Sequence, residues 1–273
     1  MINWQPSIRM PRRPSASPTD WFIIIPALAI VFLLAAPLVA LVWRGLSSAA
    51  LSGALTPAAL EALRLSIVTS CSALAVIVVL GTPLAFALAW WDFRGKRAIE
   101  TLVDLPLVLP PSVAGLALLL AFGRQGLLGA PLAALGIGIP FTTFAVVLAQ
   151  VFVSAPLFIR SARTGFAGLD VQVEEAALVE GASTWQLFSR VTMPLSQRAL
   201  ASGAILAFAR AIGEFGATIL FAGNLPGVTQ TMPLAIYLGF ETSLSMAVAL
   251  SVVLVLVSVG LLWGLRRLER REQ

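Results

Sequence analysis

Six stretches of this chain, near residues 21–43, 65–91, 103–122, 140–159, 200–222 and 243–264, are apolar for about the 20 residues a helix needs to cross roughly 30 Å of hydrocarbon. Lipid offers a backbone no hydrogen bonds, and the runs are continuous rather than alternating, so each reads as a helix and none as a barrel strand. The expected fold class is an all-α integral membrane protein with six transmembrane helices. With 59% hydrophobic and 11% charged residues, the chain is too apolar to hide its surface in one soluble core.

The 18 Lys and Arg residues set the orientation. Arg9, Arg12, Arg13, Arg94, Lys96, Arg97, Arg160, Arg163, Arg190, Arg198, Arg266, Arg267, Arg270 and Arg271 fall on one side of the spans. Only Arg44, Arg64 and Arg124 fall on the other. The basic side is cytoplasmic, so both termini are expected there and the protein is a multi-pass component of the inner membrane. The net charge of +5 is explained by this asymmetry, and no nucleic-acid partner is needed. The first span runs from Trp21 through Trp43, longer than the apolar core of a cleaved signal, and is read as a retained helix with the two Trp residues as interfacial anchors. Residues 1–20 form a polar cytoplasmic tail expected to be disordered, residues 21–265 one membrane domain, and residues 266–273 a second cytoplasmic tail. Cys71 is the single cysteine and is expected to be a packing residue. His is absent, so no metal site and no cofactor bound by this chain are expected.

Residues 160–199 form the one long polar segment between spans. Val173, Ala176, Ala177 and Val179 suit a short amphipathic helix that Gly181 can end in a left-handed cap. Ser183 then N-caps a second helix carrying Trp185, Leu187, Phe188 and Val191, expected to stop at Pro194. Physics leaves two readings for such a pair, a segment lying on its own bilayer or one offering apolar residues to a cleft on another protein. Glu175, Ala176 and Ala177, with Gly181, Val191, Met193 and Pro194 at their spacing, resemble the EAA motif of ABC importer permeases. Val191 and Met193 stand where Ile and Leu are usual, which are conservative differences. The resemblance implies that residues 175–194 form coupling helices seated in a groove of a separate cytoplasmic ATPase. It also implies that Glu175 is the polar anchor and that Ala176 and Ala177 permit close approach.

The fifth span contains Arg210 and Glu214. Each alone would cost about 2.5–3.5 kcal/mol at a helix centre, so both must face protein or water. At a spacing of four they share a face, which Gly203, Ala207 and Thr218 extend into a narrow stripe. The pair either holds helices together or lines a pathway, where Gly213 and Gly216 would permit close approach or local unwinding. Pro106, Pro110 and Pro111 interrupt the third span, as a simple kink or as irregular backbone beside a water-filled path. After the fifth span, Gly223 to Tyr237 carry no charge. Asn224, Pro226 and Gly227 suit turns, and Thr229, Gln230 and Thr231 offer neutral hydrogen-bonding groups to an ordinary outer loop or to a docked binding protein.

The run from Arg210 to Tyr237, the EAA loop and Leu105 to Gly115 together resemble the permease subunit of the molybdate ABC importers over roughly residues 60–265. That family has the type I importer permease fold. Sulfate and tungstate permeases remain alternatives within the same group. The resemblance implies a homodimer around a central path, with Arg210, Gly213, Glu214, Gly216, Thr218, Pro110 and Pro111 as pathway or gate. It also implies an oxyanion-binding protein against Asn224, Pro226, Gly227, Thr229, Gln230 and Thr231, and ATPase subunits that use ATP and Mg. The chain has no Gly-rich phosphate loop and is expected to hydrolyse nothing itself. An ion-gradient transporter is the rival, though no pair of related halves is visible. An intramembrane protease lacks a Ser-His pair or an Asp dyad.

Overall fold

The computed structural model describes residues 21–45 and 56–270, so the N-terminal tail 1–20 and Arg271 lie outside the described residues. Every regular element among these residues is helical. Helix α1 (Trp21–Gly45) belongs to a unit of its own, with Pro26 and Pro37 inside it and Trp21 and Trp43 exposed.

The second unit begins with α2 (Pro57–Trp90), which starts earlier than the apolar run because Thr56 caps it, Thr56 Oγ1 accepting the Ala59 N–H at 3.3 Å with Pro57 at the first position. The third expected span is two helices, α3 (Lys96–Val108) and α4 (Pro111–Phe122). The ladder stops at Leu109–Pro110, because Pro110 disfavours helical backbone in the residue before it and Pro111 restarts a helix at its first position. A short α5 (Gly129–Ala134) precedes α6 (Thr143–Ala167), capped by Thr142. Next come α7 (Val171–Val179) and α8 (Thr184–Leu187), which continues as a π turn (Phe188–Thr192) and a last α turn (Met193–Leu195).

Pro194 therefore does not stop the second loop helix. The proline lacks an N–H and crowds the carbonyl four residues back, and the wider π turn before it accommodates both defects, so the helix ends only at Ser196. The fifth span is also broken, into α9 (Gln197–Ile212) and α10 (Gly216–Phe221). Part of the expected outer loop is helical, α11 (Met232–Thr242), and α12 (Leu244–Arg270) completes the unit, taking in the start of the expected C-terminal tail. By length and composition α1, α2 and α6 can each cross a bilayer unaided, whereas the other apolar segments are shorter or interrupted.

The core of the second unit is α2 and α6 lying parallel, with α9 antiparallel against α6. The register is visible in the pairs: Ser70 meets Gln150, Gly81 meets Phe158, and Phe86 meets Phe166. In lipid, helices gain little from hydrophobicity and associate by close packing and hydrogen bonds, which favours small residues where they cross. A Cβ on Gly165 would overlap Ala199, and one on Gly203 would lie 2.8 Å from Ser161 Cβ. Ser161 Oγ donates across the same crossing to the Ala199 carbonyl at 2.8 Å. Gly203 and the fully buried Ala207 thus belong to a helix-helix contact and do not extend a polar stripe. Cys71, expected to pack, lies exposed on α2. At the end rich in basic residues, Arg163 pairs with Glu100 at 2.9 Å and Arg160 with Asp104 at 3.6 Å, tying α3 to α6.

Gly203→Val is expected to force α6 and α9 apart, at about 1–3 kcal/mol for an overpacked contact. Thermal unfolding of the solubilised protein should show the loss, whereas Gly138→Ala, where an added Cβ meets nothing within 4 Å, should leave the midpoint unchanged.

Candidate functional site

The two broken helices meet. A Cβ on Gly216 would lie 2.5 Å from Pro111 Cβ, and one on Gly115 would lie 2.8 Å from the Ala217 carbonyl oxygen, so α4 and α10 run side by side in near backbone contact. No side chain fits at either position. The Pro110–Pro111 break is thereby placed against the Gly213–Phe215 break, which their sequence positions do not reveal.

Glu214 holds the second break together. Its Oε2 accepts from Arg210 Nη1 at 2.7 Å, and its Oε1 accepts the Ala217 N–H at 2.7 Å. One carboxylate spans the discontinuity, joined to the last turn of α9 by an ion pair and to the first turn of α10 by a capping bond. Glu214 is 1% exposed, while the Arg210 side chain keeps a third of its surface. A carboxylate this buried is tolerable only with such partners. Gly213 is exposed and Thr218 is fully buried, with no hydrogen-bond partner for its hydroxyl among the described residues. Pro110 and Pro111 are exposed as well, so backbone at both breaks is left uncovered.

At the basic end, the two loop helices carry more capping than their sequence suggested. Asp170 Oδ1 accepts the Gln172 N–H at 2.9 Å to open α7. The helix closes with Gly181 at φ +85, the Gly181 N–H donating to the Leu178 carbonyl and the Ala182 N–H to that of Ala177, both at 3.0 Å. This is the double-bonded left-handed termination that glycine serves best. Ser183 and Gln186 then cap α8 reciprocally. Glu175, Ala176, Gly181, Met193 and Pro194 are exposed, whereas Ala177 and Val191 are half-buried. No residue of α7 is buried, and Val179 and Trp185 are 88% and 70% exposed. By contrast Leu187 is fully buried, and Phe188 joins an aromatic group with Phe86 and Phe166. The second loop helix is rooted in the bundle and the first projects from it.

At the opposite end, Thr229, Gln230 and Thr231 turn inward. Thr229 Oγ1 accepts the Leu225 N–H at 2.9 Å and Gln230 Nε2 donates to Asn224 Oδ1 at 3.0 Å, while the Leu225 carbonyl collects three backbone donors. Thr229 and Gln230 hold the loop's shape, and none of the three forms its outer surface, which is Leu225, Pro226, Gly227 and Val228. The uncharged stretch is not without acid in space, because Glu61 of α2 lies against Gly227. That approach, the Glu214 cap and the α4–α10 contact are long-range or backbone-dependent, and no local sequence pattern announces them. The i,i+4 spacing of Arg210 and Glu214 is the exception.

Residues 77–273 match the family described as binding-protein-dependent transport system inner membrane component. The molybdenum transport system permease protein ModB of Mycobacterium bovis is 46% identical over 90% of this chain and 94% of its own length. Its counterpart of the same name in Escherichia coli is 38% identical over 77% of this chain and 94% of its own length. In three dimensions, a chain of a bacterial ABC transporter involved in the import of the acidic polysaccharide alginate superimposes with a TM-score of 0.74, covering 93% of this chain and 96% of the other at 16% identity, a likeness of fold.

Glu214→Ala should remove both the ion pair and the cap, and Arg210→Ala should leave a buried carboxylate without its cation. Each is expected to destabilise by about 3–5 kcal/mol, the cost of breaking a buried pair from one side. The double substitution should cost less than the two added together, a coupling read directly from thermal or denaturant unfolding of all four proteins.

Proposed function

The chain belongs to the family of binding-protein-dependent transport system inner membrane components, and on that premise we propose that it is the permease subunit of an ATP-driven importer of molybdate. The observation that carries the mechanism is the pair of helix breaks packed on each other. Irregular backbone at membrane depth is stable only where protein covers it or where it borders a water-filled cavity. The exposed backbone at Pro110, Pro111 and Gly213 therefore calls for a second copy of the chain enclosing an aqueous path. The apolar runs support six crossings per copy, and the distribution of Lys and Arg supports cytoplasmic termini.

In this reading the exposed α7 and the α8 run dock on a cytoplasmic ATPase, which binds and hydrolyses ATP with Mg, while the chain itself catalyses nothing. Leu225 to Val228 face the binding protein that delivers the anion. Closure of the ATPase rocks α9 through the continuous stretch from Pro194, and the α9–α10 break is where the movement is taken up. The partly exposed Arg210 guanidinium favours an anion in a path that is otherwise apolar, and its bond to Glu214 keeps it from holding that anion tightly. Relatives bearing the molybdenum permease name favour molybdate within the oxyanion class.

Vesicles containing the chain, its ATPase and a molybdate-loaded binding protein should take up molybdate only with ATP, and tungstate should compete more strongly than sulfate. Uptake by the chain alone, driven by an ion gradient, would refute the proposal. Gly181→Val should weaken association with the ATPase about tenfold, because a β-branched residue at that φ strains the link between the loop helices by about 1–3 kcal/mol. Co-purification titrated against ATPase concentration measures it.

A further inference from the structure

The notable bond at the basic end involves residues outside the EAA motif. Trp90, the last residue of α2, donates from Nε1 to Glu174 Oε1 of α7 at 2.9 Å. One turn earlier Phe86 stacks on Trp90 at 5.6 Å and meets Phe188 edge-on at 4.9 Å. The end of α2 is therefore joined to both loop helices, to α7 by a charge-assisted hydrogen bond and to the α8 run by ring packing. The α7 joint matters more, because α7 buries no residue of its own and relies on specific bonds for its placement.

At its other end α2 is joined again. Ser66 Oγ accepts the buried Met232 N–H at 2.7 Å, satisfying a donor at the start of α11 that Thr231 leaves uncapped, and Glu61 lies against Gly227. Between Ser66 and Trp90 the helix is continuous, a span of about 36 Å at 1.5 Å per residue, with Pro83 inside its last two turns removing one bond of the ladder. A continuous helix bonded near both ends to elements far apart in the chain makes their positions interdependent.

We infer that α2 is a second force-transmitting strut, parallel to the route through α9. The Trp90–Glu174 bond is its joint to the docking loop, and the Ser66–Met232 bond its joint to the loop on the opposite face. Trp90, Glu174 and Ser66 are positioning residues. ATPase closure displaces α7, the joint carries the displacement into α2, and α2 moves the start of α11 and the adjoining Leu225 to Val228 tip. This rests on the docking reading above.

The test uses the whole complex in nanodiscs or vesicles, with ATPase and molybdate-loaded binding protein, and reads anion taken up per ATP hydrolysed. Trp90→Phe keeps the ring and removes the N–H, Glu174→Leu removes the acceptor, and Glu174→Gln retains it. The ATPase should co-purify with all three. Uptake per ATP should fall about tenfold in Trp90→Phe, Glu174→Leu and Ser66→Ala, as expected when one hydrogen bond biasing a two-state element is lost, and should stay within about twofold of the unaltered complex in Glu174→Gln. Unaltered uptake per ATP in Trp90→Phe would overturn the strut. So would loss of the ATPase from that variant, which would make the bond part of the docking surface. If the ATPase does not associate with the unaltered chain, the docking reading itself fails and the strut goes with it.

Discussion

Backbone that leaves a helix inside a bilayer must find its hydrogen bonds within the protein, and most of this molecule can be understood from that constraint. Two helices break where they pack on each other, one at Leu109–Pro110 and one at Gly213–Phe215, and each break leaves backbone donors and acceptors outside the helix ladder. The solution is local at one site and collective at the other. Glu214 satisfies the Ala217 N–H and is itself neutralised by Arg210, so a charged residue that would be unstable in lipid becomes the element that makes the discontinuity possible. Pro111 has no N–H and so needs no acceptor, and its ring fits where Gly216 offers no side chain.

The same economy of side chains appears where intact helices cross. Contacts between α6 and α9 are made through Gly165, Ala199, Gly203 and Ser161, which bring backbones close enough for a hydroxyl on one helix to bond a carbonyl on the other. The basic end carries the large aromatic residues Phe86, Trp90, Phe166 and Phe188, and they join the loop to the ends of α2 and α6.

The two helices of the loop at the basic end differ in how they are held. The second is anchored, with Leu187 buried and a π turn absorbing Pro194 before the chain enters α9. The first is offered outward, with apolar Val179 and small Ala176 at its surface and a glycine termination fixing the angle between the two. An exposed apolar element that is nonetheless well capped is preorganised for a partner, since little ordering is left for binding to impose.

By itself the sequence determined that the chain is helical and membrane-bound, because the length and continuity of apolar runs leave the backbone no other way to satisfy itself. It also determined the caps at Gly181 and Ser183 and the pairing of Arg210 with Glu214, since each depends on residues within one or two turns. Tertiary structure decided where continuity fails. The break between α9 and α10 requires Pro111 to occupy the space beside Gly216, and the helical start at Met232 requires a hydroxyl from Ser66, far away in the chain. It decided as well that Thr229, Gln230 and Thr231 point inward and that Gly203 and Ala207 serve packing. A residue's polarity or size limits what it can face, and only the neighbouring helices determine which of those surfaces is present.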